Sequence, residues 1–331
     1  MARPLCILCL VGSLLAAGCG DSGGGGAGAA GSAGSAGTAG SAGAAGAAGM
    51  PGVDTLAGAL PQPKSLEVTD AGIFWIDELQ ASIKRLPLEG GTPMTVAAGQ
   101  KDPRNLWADA SSLYWLNKAD GTIQKVALGD GATPAPLAQG LVAPSSLVAT
   151  ADELFWLSGS MPPAVMRVAK AGGAVTMVAA VGAGAKKIAV DEAFVYIVSP
   201  KDAMTPGNIA RVARTGGMPA ILVSDFPAGE VKAAADGLYY ADGMQVFKVD
   251  RAGGTPTAVV TTTAKVSNFL IDGGTTYLTL GAQVVRLASP TATPEIVATN
   301  QGSPAALTVH DTHLYWLQEK TGAGAVMRAA R

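Results

Sequence analysis

Seven times along the chain a short apolar run centred on an aromatic residue interrupts a more polar background: IFW at 73–75, LYW at 113–115, LFW at 154–156, VYI at 195–197, LYY at 238–240, TYL at 276–278 and LYW at 314–316. The runs recur at a period near 40 residues, the signature of a repeat built from a four-stranded unit. Eight places before the central residue of each run stand Leu66, Leu106, Leu147, Ile188, Val231, Phe269 and Leu307, all apolar. A constant offset is what two paired strands and a short turn demand, because a slip of one residue would turn the apolar face to solvent. These are strands A and B of each unit.

Downstream, a basic residue between apolar neighbours marks strand C: Arg85, Lys125, Arg167, Arg211, Lys248, Arg286 and Arg328. Eight or nine residues further on, strand D opens at Pro93, Pro134, Val175, Pro219, Pro256 and Pro294. Pairs such as Gly90-Gly91 and Gly253-Gly254 fill the C–D turn, where positive φ is cheap for glycine. The last unit reaches Arg331 with no strand D of its own. In the others the residue opening strand D precedes the next strand A anchor by 12 or 13 places, and 13 places before Leu66 is Val53. The segment VDTLAG lays Val53 on Pro93, Thr55 on Thr95, Leu56 on Val96 and Ala57 on Ala97. The spacing therefore predicts an all-β, seven-bladed β-propeller over 53–331, with four-stranded blades and a ring closed by the N-terminal strand of the domain. Closure removes two exposed sheet edges.

The B-strand motifs FWID (74–77), YWLN (114–117), FWLS (155–158), YYAD (239–242) and YWLQ (315–318) resemble the YWTD repeat of the propellers in receptor ectodomains of the LDL-receptor type. Together with the N-terminal segment described next, the repeats look like those of exported bacterial lipoproteins. The resemblance implies an extracellular propeller that binds partners and has no chemistry of its own. The chain departs from the receptor pattern in having seven units rather than six and in lacking the Thr of the motif.

The first residues carry a basic start at Arg3, an apolar run from Pro4 to Ala17 and the sequence LLAAGC, which resembles a bacterial lipobox. The expectation is a signal peptide over 1–18 and a mature N-terminus at Cys19, diacylated at sulfur. All three cysteines (Cys6, Cys9, Cys19) lie in this segment, so the propeller has neither a disulfide nor a thiolate site. From 22 to 49 the chain holds only Gly, Ala, Ser and one Thr, a composition that builds no core. Residues 19–52 read as a flexible tether with a root-mean-square span of roughly 30 Å. The uncharged Gly20 after Cys19 favours the outer membrane as the destination, periplasmic or surface-exposed.

Of 331 residues, 48% are hydrophobic and 15% charged, and the formal net charge is −2. No basic face exists to neutralise a phosphate backbone, which excludes nucleic acid as a partner. GxSxG, HExxH and P-loop patterns are absent. An Asp falls in every A–B turn (Asp70, Asp109, Asp152, Asp191, Asp236, Asp272, Asp311), at three to five residues from the central residue of the B-strand run. That variable distance points to carboxylates capping local backbone rather than to a metal ring. The basic residues of strand C are expected to lay their stems on apolar surface and keep their heads in water. The two histidines, His310 and His313, share one turn with Asp311 and read as an exposed turn. The expectation is no metal and no cofactor beyond the lipid on Cys19.

Strand alternation places the residues flanking each strand A anchor on the central channel: Ser65, Asn105, Ser146, Lys187, Glu230, Asn268 and Ala306 before it, and Glu67, Trp107, Val148, Ala189, Lys232, Leu270 and Thr308 after it. The B–C connections vary most in length, and the longest, 199–208, carries Lys201, Asp202 and Met204 as candidates for partner contact. The function expected is that of a monomeric, envelope-anchored binding or scaffolding module with a protein or glycan partner. The alternative is a propeller enzyme of the lactonase or lyase kind, with Glu230 and Lys187 in the channel and Asn105 and Asn268 as carbonyl ligands of a metal.

Overall fold

The computed structural model describes residues 52–331 apart from 204, 228, 290 and 291; the signal peptide, Cys19 and nearly all of the tether expected at 19–52 lie outside them, as does Met204. Among the described residues, strands pair into seven antiparallel four-stranded sheets. Six follow chain order, from Pro63–Thr69, Gly72–Asp77, Ser82–Leu86 and Met94–Ala97 in blade 1 to Val266–Asp272, Thr275–Leu280, Gln283–Leu287 and Glu295–Ala298 in blade 6. The seventh takes Pro304–His310, His313–Gln318 and Gly324–Ala330 from the C-terminal end and Val53–Leu60 from the N-terminal end. The molecule is a seven-bladed propeller closed by its first strand.

The closing register matches the one read from spacing. Arg328 faces Asp54, Met327 faces Thr55 and Val326 faces Ala57, as Arg85 faces Met94, Lys84 faces Thr95 and Ile83 faces Ala97 in blade 1. The same bulge lies between the second and third of these pairs in both blades.

The apolar runs of strand B are continuous because this strand is covered on both faces. Successive side chains point to opposite sides, so Phe74 packs with Leu106 and Trp115 of blade 2, while Trp75 packs with Leu56, Tyr315 and Leu317 of blade 7. Among the described residues the core divides into clusters that each straddle two neighbouring blades. The blades are held by their interfaces rather than by a common centre, and that leaves the axis open.

The strand C cations do more than keep wet heads. Lys125 donates to the backbone oxygen of Lys170, Arg167 to that of Arg214, Arg211 to that of Ala252 and Arg328 to that of Leu88. Each acceptor lies in the C–D turn of the next blade. A cation on an outer strand thus satisfies carbonyls that a turn leaves without a partner. Lys248 and Arg286 instead pair within their own blades, with Asp236 and Glu295.

Candidate functional site: the axial channel

The A strands stand side by side around the axis and enclose a channel of about 680 Å³ to which all seven blades contribute. Ser65, Asn105, Lys187 and Glu230 line it, as do Glu67, Trp107 and Lys232. Asn268 does not; its Oδ1 is buried without a partner. Near one end the wall is shared with a smaller hollow of about 280 Å³, which Lys64, Arg104 and Lys118 reach.

Two of the polar residues before the anchors, Asn105 and Ser146, tie neighbouring blades together. Ser65, Asn105, Ser146 and Ala306 have φ of 51°, 49°, 54° and 52°, and the A–B ladder slips beside each of them. They are β-bulges in the left-handed region, which costs least for Gly and Asn. The bulge turns two of these side chains toward the next blade: Asn105 Oδ1 accepts from the amide of Leu147 at 3.4 Å, and Ser146 Oγ from that of Ile188 at 2.8 Å. Trp107 Nε1 donates to the Leu147 oxygen at 2.8 Å, which fixes its indole against the channel wall.

Charge gathers on one arc. Glu230 Oε2 lies 2.7 Å from Lys187 Nζ and its Oε1 3.2 Å from Lys232 Nζ. Burial alone would raise the Glu230 pKa, but the two ammonium groups outweigh it and hold the carboxyl below the usual range. Glu67 behaves in the opposite way. Desolvation pushes it from an ordinary 4.5 up to about 8, against the weaker pull of the backbone at Ala108 and of Lys232 and Lys170. It is largely protonated at neutral pH. Lys186, at the mouth, is exposed and extends the positive arc. Strand alternation missed it because it precedes strand Lys187–Val190, in a connection where alternation says nothing.

The metal set of the enzyme alternative is not assembled. Both oxygens of Glu230 face lysines, the Asn105 oxygen faces an amide and Asn268 is off the channel. The A–B turn carboxylates serve the backbone in two blades: Asp109 accepts from the amides of Ser111 and Ser112, and Asp191 from those of Ala193 and Phe194. Asp70 and Asp311 instead meet His310, whose Nε2 lies 3.2 Å from Asp70 and 3.7 Å from Asp311 at the seam between blades 7 and 1. Both carboxylates are solvent-exposed. The group sits on the A–B turns, away from the channel-lining residues. His313 lies across the same turn, beside Thr312.

The loop 199–208 folds back on the connection between blades 4 and 5. The Lys201 amide donates to the Phe226 oxygen and the Phe226 amide to the Gly207 oxygen, each at 3.0 Å. A side chain at Gly207 would meet the Phe226 oxygen at 1.8 Å, so this position admits only glycine. Lys201 pairs with Asp225 at 3.1 Å, and Asp202 accepts from the Thr205 amide.

No family model matches the sequence, and none of the curated proteins does. Solved structures do match in shape. A virginiamycin B lyase from Staphylococcus aureus, a catalytically inactive histidine-to-alanine variant solved with quinupristin, aligns with a TM-score of 0.65 at 13% identity over 83% of this chain and 97% of its own. An oligogalacturonate lyase from Vibrio parahaemolyticus aligns with a TM-score of 0.66 at 10% identity over 84% and 93%. YCF48 bound to D1 peptide aligns with a TM-score of 0.62 at 10% identity over 84% and 96%. What is shared is the fold. The same scaffold thus carries lyases and a peptide-binding protein, so function has to be argued from the channel and the loops.

Proposed function

We propose that this chain is a non-catalytic binding propeller of the cell envelope, anchored through a diacylated Cys19. The observation that carries the binding reading is the state of Glu230, locked between Lys187 and Lys232. A carboxylate held ionised by two cations is a poor proton acceptor. Neither histidine of the chain lines the channel, so an imidazole such as the one whose loss inactivates the virginiamycin B lyase has no counterpart there. The anchor rests on the lipobox-like LLAAGC and the Gly/Ala/Ser stretch behind it.

Capture from detergent-solubilised envelope tests the binding reading, with the full chain as bait and a Lys201→Ala/Met204→Ala variant as control. The variant keeps Gly207 and the amide bonds to Phe226. A partner retained by the parent and lost with the variant supports the reading and names its face; empty capture with both counts against it. The anchor has its own test: Cys19→Ser should move the protein from the membrane fraction to the soluble one.

One observation favours the enzyme reading. Glu67, with its pKa near 8, is suited to give and take a proton at neutral pH. Turnover of any substrate that disappears in Glu67→Gln would replace the binding reading with that one.

A further inference from the structure

The channel carries a charge opposite in sign to that of the whole chain. The formal net charge is −2, yet Lys186, Lys187 and Lys232 face one arc of the channel against the carboxylates of Glu230 and Glu67. Glu230 neutralises one lysine, since its two oxygens are shared between Lys187 and Lys232. Glu67, largely protonated at neutral pH, neutralises none and offers an O–H donor instead. Three ammonium groups against two carboxylates leave the arc net positive whatever the state of Glu67, and a concave wall focuses that field. Lys186 makes none of the ion pairs that occupy Lys64, Arg104 and Lys187. Beyond the lysines the lining turns apolar at Trp107, Val148 and Leu270.

We infer that the channel is a receptor site for a small organic anion, with Lys186 and Lys187 taking its anionic group at the mouth and Trp107, Val148 and Leu270 taking its apolar body. The inference rests on the reading of the propeller as a binding module and names its ligand class. A neutral sugar or a cation gains nothing from such an arc. Lys64 and Arg104 of the adjoining hollow are already paired, with Glu319 and with Glu78 and Asp102, so a polyanion longer than the channel gains little from them. Carboxylate and phosphate monoesters share the recognising chemistry, a compact anion on an ammonium pair.

The chain supplies its own reporter. Trp75, Trp115 and Trp316 are 0% exposed and Trp156 1%, so a neutral collisional quencher such as acrylamide reaches Trp107 alone. Acrylamide quenching of the full chain in detergent would be measured with benzoate, phenyl phosphate and benzyl alcohol as probes. The expected result is that at least one anion lowers the quenching constant about twofold or more at millimolar concentration, while benzyl alcohol at the same concentration leaves it unchanged. Which anion protects distinguishes a carboxylate from a phosphate ligand. Lys186→Gln, which breaks no ion pair of the fold, should raise the concentration needed several-fold at an unchanged melting temperature, and 0.5 M salt should weaken protection in the parent. Protection by neither anion, equal protection by benzyl alcohol, or a Lys186→Gln variant that matches the parent would each overturn the inference. Partner capture through loop 199–208 is independent of these outcomes. A positive capture with a silent channel would leave a binding module whose ligand is not an anion.

Discussion

Arg328 holds the carboxylate of Asp54 at 2.9 Å across 274 positions of sequence, and the same guanidinium donates to the Leu88 oxygen in the C–D turn of blade 1. One side chain therefore touches the closing strand, the last blade and the first. Its visibility exceeds its energy. Asp54 is 57% exposed, and a pair so open to water contributes at most about 1 kcal/mol. Closure depends more on Leu56 and Leu60, which are 9% and 6% exposed in the cluster shared with Trp75 and Tyr315.

Asp54→Ala is accordingly expected to cost under about 1 kcal/mol and Leu56→Ala about 2–4 kcal/mol, read from urea unfolding. Removing the whole strand Val53–Leu60 should strip blade 7 of its fourth strand and lower the melting temperature sharply. A truncated chain that melts with its parent would refute closure.

Gln301 is the acceptor for a buried donor, Trp316 Nε1 at 2.9 Å, and for the half-buried side-chain amide of Gln318 at 2.8 Å. Gln100 does the same for Trp115 and Asn117 in blade 2. Gln301→Ala leaves both donors of blade 7 without an acceptor and should cost on the order of 2 kcal/mol, within the range for an orphaned buried donor. Blade 1 already lives with that condition. The residue in register is Leu60, and Trp75 Nε1 is buried without a partner.

Stability should fall as the pH rises because of Glu67. Its folded pKa of about 8 exceeds the ordinary 4.5, so between these values the folded state binds more protons than the unfolded one. Stability tied to this group is complete below about 4.5 and is lost as pH climbs to about 8. Glu67→Gln should remove that slope: the drop in melting temperature between pH 5 and pH 8.5 shrinks by a few degrees. An unchanged slope would show that Glu67 ionises normally.

Glu230→Gln removes the only ionised carboxylate on the charged arc at neutral pH. The fold should tolerate it at a cost of about 1 kcal/mol or less, because Lys187 and Lys232 are 43% and 41% exposed and can return to water. Protection of Trp107 by benzoate should set in at lower concentration than in the parent.

The blade number, the strand order and the closing register were legible in sequence because each blade repeats one spacing, and a register error would expose a row of apolar side chains. The channel was legible only in outline. Alternation names Lys187, Glu230, Trp107 and Lys232, but it cannot foresee the bulges that turn Asn105 and Ser146 into ties between blades, nor Lys186, which lies outside any strand. The strand C cations show the same boundary. Their positions are periodic, whereas the carbonyls they reach belong to the neighbouring blade, and a repeat read one unit at a time contains no neighbour.

The pairing of Val53–Leu60 with Gly324–Ala330 also sets an order in time. In whichever compartment it folds, a chain that emerges N-terminus first presents Val53–Leu60 well before the strand Gly324–Ala330. Until it arrives, Leu56 and Leu60 have no strand to lie beside, and the other six blades can assemble first. The segment made earliest is the last to find its place, so whatever keeps that strand from sticking elsewhere governs the yield of finished rings.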